Sequence, residues 1–163
     1  MKKLLASICA VLLVSACSSQ QGFEMYGNET TGGWKKGVNI ADLETTATTK
    51  AFRKETNDVV YFALNKSSLD ATAMADLRAQ AEWLKKNPTA VIVVEGRCDE
   101  RGTREYNLAL SDRRANAAKR FLIDNGVRAN RIKTIPYGKD KPVDDGHNEE
   151  AWAKNRSATT VAY

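Results

Sequence analysis

The chain is poor in the residues that most often carry chemistry. Its 163 residues include one histidine and three cysteines, and these do not recur at metal-ligand spacing, so the sequence offers no zinc or iron site and implies no cofactor. Its ten glycines never gather into a loop that could cradle phosphate. No apolar run reaches the roughly eighteen residues that a membrane-spanning helix needs. Internal repeats and blocks of like charge are missing too. The formal charge is +5, from 25 basic and 20 acidic residues, but the two signs are interspersed, which argues against the basic stripe and stacking aromatics of a nucleic-acid binder. A hydrophobic content of 42% is enough for one core, and the length requires no second domain.

The N-terminus, by contrast, is rich in meaning. Lys2 and Lys3 form a positive start, Leu4 to Val14 an apolar stretch, and Val14-Ser15-Ala16-Cys17 a small-residue cleavage site. Residues 1–16 therefore read as a secretory signal, whose removal takes two lysines and lowers the charge to +3. Small residues just before a cysteine resemble a bacterial lipobox, with Val14 where leucine is more usual. That resemblance implies that Cys17 becomes the lipidated first residue of the mature chain; the bland alternative is an ordinary cleaved signal with a chance cysteine. Each buried methylene contributes about 0.8 kcal/mol, so one acyl chain anchors only marginally and the several that lipoprotein maturation adds anchor firmly. Ser18 stands where an aspartate would favour inner-membrane retention, and the resemblance implies the outer membrane, with the chain facing the periplasm. Cys9 leaves with the signal. Cys98 is then the only free thiol in an oxidising compartment, and no internal disulfide can form. It is either a small buried residue at a strand end or an exposed thiol open to mixed disulfides.

Residues 17–56 are rich in Ser, Gln, Gly, Thr and Asn without a sustained period, and read as a flexible tether. About forty such residues span roughly 35 Å on average and about 130 Å when stretched, although composition alone also allows a loose extension with no spacing role. The domain occupies 57–163. Val59 to Leu64 predicts a strand and Asn65 to Ser68 a turn; Ala73, Leu77, Ala81 and Leu84 then recur at helical spacing between an Asp70 cap and an Asn87-Pro88 stop. Val91 to Val94 fit a central strand buried on both faces and ended by Gly96. A long helix follows Thr103 and stops at Gly126. On it Asn107, Leu110, Arg114, Ala118 and Phe121 share a stripe, which leaves Arg114 half buried. Ile132 to Tyr137 predicts a strand near an edge because of Pro136, Asn148 to Asn155 a short helix, and Ala158 to Tyr163 a last strand. This alternation gives an α+β fold, a two-layer sandwich with helices on one face of a mixed β-sheet.

The stretch Glu95-Gly96-Arg97-Cys98-Asp99-Glu100-Arg101-Gly102-Thr103-Arg104-Glu105-Tyr106-Asn107 joins strand to helix and runs on into Leu110-Ser111-Asp112-Arg113-Arg114-Ala115. It places an acid, Asp99, at the strand's exit and a base, Arg114, two to three turns down the helix, so one cleft can hold both. An acceptor-only carboxylate beside a planar donor fork suits a zwitterion. At an effective dielectric near 20 each contact with such a ligand is worth up to about 4 kcal/mol before desolvation. Lysine would be a poor substitute for the arginine.

These residues resemble the motif of the OmpA C-terminal-like, peptidoglycan-binding domains, and their wording is nearest to that family's peptidoglycan-associated lipoproteins. The likeness covers nearly all of Asp58 to Tyr163, with Tyr137-Gly138-Lys139, Lys141-Pro142, Gly146-His147 and Lys154-Asn155-Arg156 as further marks. It implies that Asp99 and Arg114 bind the ammonium and carboxylate at the far end of meso-diaminopimelate in the peptidoglycan stem peptide. It also implies that Asn107 and Leu110 line the same pocket, that Phe62 to Lys66 (including Asn65) form its other wall, and that Arg101 lies in the loop above it. Arg97 stands where the family often has histidine or asparagine and is expected to add positive charge at the rim. Asn65 stands where it often has an aspartate. The resemblance further implies a non-catalytic role in the Tol-Pal system, tying the outer membrane to the cell wall during division, with the periplasmic propeller protein TolB competing for an overlapping surface. Two rivals remain: a related lipoprotein with the same ligand outside the Tol system, and a thiol enzyme built from Cys98, Asp99 and His147.

Overall fold

The computed structural model describes residues 46–163; the signal at 1–16, the lipidation site Cys17 and the tether as far as residue 45 lie outside the described residues. In chain order the elements are α1 (Ala47–Glu55), β1 (Val59–Tyr61), α2 (Ala71–Lys86), β2 (Ile92–Arg97), α3 (Arg104–Asp124), a 3-10 turn (Ala129–Arg131), β3 (Ile132–Gly138), α4 (Glu149–Asn155) and β4 (Ser157–Ala162). Each α-helix starts at a side chain that accepts a hydrogen bond from an otherwise unpaired backbone N–H: Thr46 from Thr49, Asp70 from Ala73, Thr103 from Tyr106 and Asn148 from Ala151. Gly126, at a φ of 95°, turns the chain after α3.

Helix α1 corrects the expected boundary. Residues 47–56 read as tether, yet nine of them form a helix whose Phe52 is fully buried and meets the Trp83 ring edge-on, centroids 5.1 Å apart. The Thr49 hydroxyl donates to the carbonyl of Ala162 on β4. This helix buries only Thr49 and Phe52, too narrow a face to give a legible apolar period. The folded domain therefore takes in residues 46–56 as well.

The strands are ordered β1-β4-β2-β3. Strand β2 runs parallel to β3 and antiparallel to β4, which in turn runs antiparallel to β1, so the sheet is mixed, as expected. Helices α2 and α3 share a core with one face of that sheet, in which Leu77, Leu84, Ala115, Ala118 and Leu122 cluster with Ile92, Val94, Ile132, Ala158 and Ala162. Pro136 is accommodated because β3 is an edge strand.

Gly96 was expected to end β2 but lies within it, paired with Ala158 and Pro136. A Cβ there would sit 2.0 Å from the Ser111 carbonyl oxygen. Glycine lets α3 press its backbone onto the strand, which fixes the spacing between the element that leads into Asp99 and the one that carries Arg114.

By strand alternation Val93, Glu95, Arg97, Thr159 and Val161 take the opposite face of the sheet. Glu95, almost fully buried, receives Arg97 Nη2 at 2.6 Å and the Tyr137 hydroxyl at 3.3 Å, while Arg97 Nη1 donates to Thr159 and its guanidinium lies over the Tyr137 ring. Arg97 therefore adds no charge to the rim expected for it. Its place on the pleat aims the side chain away from the cleft, and only its backbone carbonyl faces Arg114.

Candidate functional site

Where β2 ends, the loop 98–103 passes beneath the start of α3 and faces the segment that follows β1. Leu64, Asn65, Cys98, Asp99, Asn107, Leu110 and Arg114 line a shallow cleft at this junction, too tight as it stands to admit a water molecule. Local folding places each of them. Asn107 donates through Nδ2 to the carbonyls of Arg101 and Thr103, fastening the loop to the helix. One and two turns further on, Leu110 and Arg114 project from the same stripe. Asn65 adopts a φ of 55°, a left-handed conformation that asparagine tolerates, and its side-chain oxygen accepts from the Tyr106 hydroxyl at 3.4 Å.

Arg114 is more deeply placed than its stripe suggested, with 1% of its surface exposed. Nε donates to the Lys66 carbonyl, Nη1 to the Arg97 carbonyl and Cys98 Sγ, and Nη2 to the Ala63 carbonyl. Four of its five N–H groups are thereby engaged, and the second hydrogen on Nη2 has no partner among the described residues. The expected two-bond grip on a carboxylate is not available in this arrangement, because the backbone has taken the rest of the fork. Burial pulls the arginine's pKa down, opposed by the charges of Cys98 and Asp99. Phe62, expected in the pocket wall, is a core residue behind it: its ring packs 5.3 Å from Arg114 Cζ and supports the guanidinium.

Asp99 is 5% exposed. Its Oδ1 accepts from the backbone N–H and Nε of Arg101, and its Oδ2 from Arg101 Nη2 at 2.7 Å and Arg156 Nη1 at 3.4 Å. Burial alone would raise its pKa, but the hydrogen bonds and charge of Arg101, with a smaller part from Arg156, outweigh that and hold the carboxyl below its ordinary range. Arg101 stacks on the Trp152 ring, 4.2 Å from its centroid, and approaches Glu149 at 3.7 Å.

Sequence reasoning missed two of these groups. Arg156 was noted only as a mark of resemblance, yet it is buried and ties the Phe62 carbonyl, Asp99 and Glu149 together. Glu149 carried no signal at all beyond opening a short helix.

The residues of the thiol-enzyme rival are placed for other work. Cys98 is buried, donates to the Asn107 carbonyl and accepts from Arg114. Burial pushes its thiol pKa up, partly opposed by the charge of Arg114, which disfavours the nucleophilic thiolate. His147 pairs with Glu100 at 2.7 Å. Among the described residues no cluster of His, Cys, Asp and Glu is arranged to hold a metal ion, and no helix is long and apolar enough to cross a membrane.

Comparison with known proteins agrees with this architecture. The OmpA family matches residues 61–156. The peptidoglycan-associated lipoprotein of Mesorhizobium japonicum is 39% identical over 155 residues, covering 95% of this chain and 88% of its own. That of Pasteurella multocida is 36% identical over 161 residues, covering 99% and 97%. The crystal structure of the peptidoglycan-associated lipoprotein from Burkholderia pseudomallei matches 66% of this chain and 91% of its own at 41% identity, with a TM-score of 0.64. The C-terminal domain of Helicobacter pylori MotB shares the fold at 21% identity, with a TM-score of 0.62.

Proposed function

Because the chain belongs to the OmpA family, among its peptidoglycan-associated lipoproteins, we propose that it binds peptidoglycan without covalent chemistry and ties the outer membrane to the cell wall. The ligand group is the zwitterionic end of meso-diaminopimelate in the stem peptide. Its ammonium goes to Asp99, and its carboxylate to the remaining Nη2 hydrogen of Arg114, with Asn107, Leu110, Leu64 and Asn65 around them. Arg101 closes the loop side. The observation that carries this reading is the meeting of a buried carboxylate and a buried guanidinium in the lining of one small cleft. Hydrogen bonds and charge from Arg101, with a smaller part from Arg156, keep the carboxylate ionised there.

Cys17 supplies the lipid anchor, and the residues after it bridge from the membrane to the wall. The family assignment supports a place in the Tol-Pal system during cell division, with TolB as the competing protein partner. Co-precipitation of TolB separates this from a lipoprotein with the same ligand outside the system. The decisive experiment for the ligand is co-sedimentation of the purified chain, in mild detergent, with sacculi whose stem peptides carry either diaminopimelate or lysine. Binding to the first and not the second is expected; equal binding to both sinks the assignment. For the anchor, Cys17→Ala is expected to abolish fatty-acid labelling and release the chain from the outer-membrane fraction. Labelling that persists would refute the lipobox.

A further inference from the structure

Asp99 is fully occupied before any ligand arrives. Its two oxygens already take four donors, three from Arg101 and one from Arg156, which is about all that a carboxylate can accept. An incoming ammonium must therefore displace one of them. The Arg156 side chain is 10% exposed and is also held by the Phe62 carbonyl and Glu149, whereas the Arg101 side chain is 36% exposed. Arg101 is the donor that can leave.

A guanidinium that leaves a carboxylate needs another acceptor nearby, or the exchange costs most of what the ligand gains. One is already in position. Glu149 Oε2 lies 3.7 Å from Arg101 Nη1, and Glu149 Oε1 is fixed at 2.8 Å by Arg156 Nη2. The four groups close a ring of alternating charge, Asp99 to Arg101 to Glu149 to Arg156 and back to Asp99. The Trp152 face, 4.2 Å from Arg101 Cζ, gives the guanidinium a surface along which to slide without losing its cation–π contact.

We infer that Glu149 is a positioning residue of the peptidoglycan cleft, which takes over Arg101 when the ligand's ammonium occupies Asp99. The inference rests on the diaminopimelate reading above. Arg156 serves as the fixed post that aims Glu149, and α4 contributes to the site by presenting Glu149 and Trp152 to the loop. Specificity follows as well. A ligand that brings only a carboxylate leaves Arg101 on Asp99, so the exchange responds to the ammonium.

The test is titration of the purified chain, in mild detergent, with a stem tripeptide ending in meso-diaminopimelate. Glu149→Gln is expected to weaken binding about tenfold while lowering the unfolding midpoint by no more than a few degrees, because this side chain is 66% exposed, its change opens no cavity and the glutamine oxygen can still accept from Arg156. Glu150→Gln, an equal change of charge at a neighbour paired with Lys154, is expected to bind within twofold of wild type. In wild type the Arg101 Nε–H resonance is expected to move at saturation. The inference is overturned if Glu149→Gln binds within twofold of wild type, if Glu150→Gln loses as much, or if the Arg101 resonance stays put at saturation. A wild-type chain that fails to bind the tripeptide overturns the reading beneath it and this inference together.

Discussion

Replacing Arg114 by lysine separates what this residue does for the fold from what it does for the ligand. Charge is conserved, but the planar fork is not. In the native arrangement the guanidinium reaches the carbonyls of Ala63, Lys66 and Arg97 at 2.8 to 3.2 Å, joining the segment after β1 and the end of β2 to the helix that bears it. An ammonium is a single point and can keep one of those acceptors, which leaves two carbonyls short of a charged donor. Hydrogen bonds from charged donors contribute about 1.5–3 kcal/mol each, and water recovers part of the loss at a cleft. We therefore expect Arg114→Lys to lower unfolding free energy by about 2–4 kcal/mol, read from equilibrium urea denaturation without ligand. Sacculus binding should fall as well, since the free Nη2 hydrogen is gone. A stability loss under about 1 kcal/mol would refute the argument, because it would mean that the three carbonyls are hydrated and the arginine is held by something else.

Other outcomes follow from the same geometry. Gly96→Ala puts a methyl where the Ser111 carbonyl oxygen is 2.0 Å away; strand and helix must part, at an expected cost of at least about 3 kcal/mol with weakened sacculus binding, and a variant as stable as wild type would contradict the packing. Phe52→Ala is expected to cost about 3–5 kcal/mol by urea denaturation, whereas a true tether at this position would show no change. Asp99 has a depressed pKa in the fold, so its contribution to stability is present above the unfolded value of about 3.9 and is lost as pH falls through the lower folded value. Tripeptide affinity should accordingly hold from neutral pH down to about pH 4.5, and an acid midpoint of 5 or higher would show that Asp99 is not the acceptor.

The parts of the fold that were legible are those written in local chemistry. Asp70 and Thr103 announced the starts of α2 and α3 because a capping side chain needs only its own next three residues, and Pro136 announced an edge because a missing N–H is intolerable elsewhere. Helix α1 was not legible: its one large anchor, Phe52, gains meaning only from Trp83, thirty-one positions later. The direction of Arg97 depended on Glu95 and Thr159, set by strand register rather than by neighbours in the chain. For the cleft, the motif named Asp99, Asn107, Leu110 and Arg114, which the structure brings into one lining. It could not tell that Arg114 had committed most of its donors to backbone, nor that Arg156 and Glu149 would arrive from the far end of the sequence.

The position of β4 has a consequence for how this protein comes into being. Val59 on β1 pairs with Thr159 on β4, a hundred positions later, and β1 reaches β2 only through that strand. The wall that carries Leu64 and Asn65 therefore joins the sheet through residues 157–162, while Arg114 and Tyr106 hold it to α3. Until those residues are in place the first strand has no partner in this sheet. The sheet and the wall of the cleft are thus completed by the same last strand.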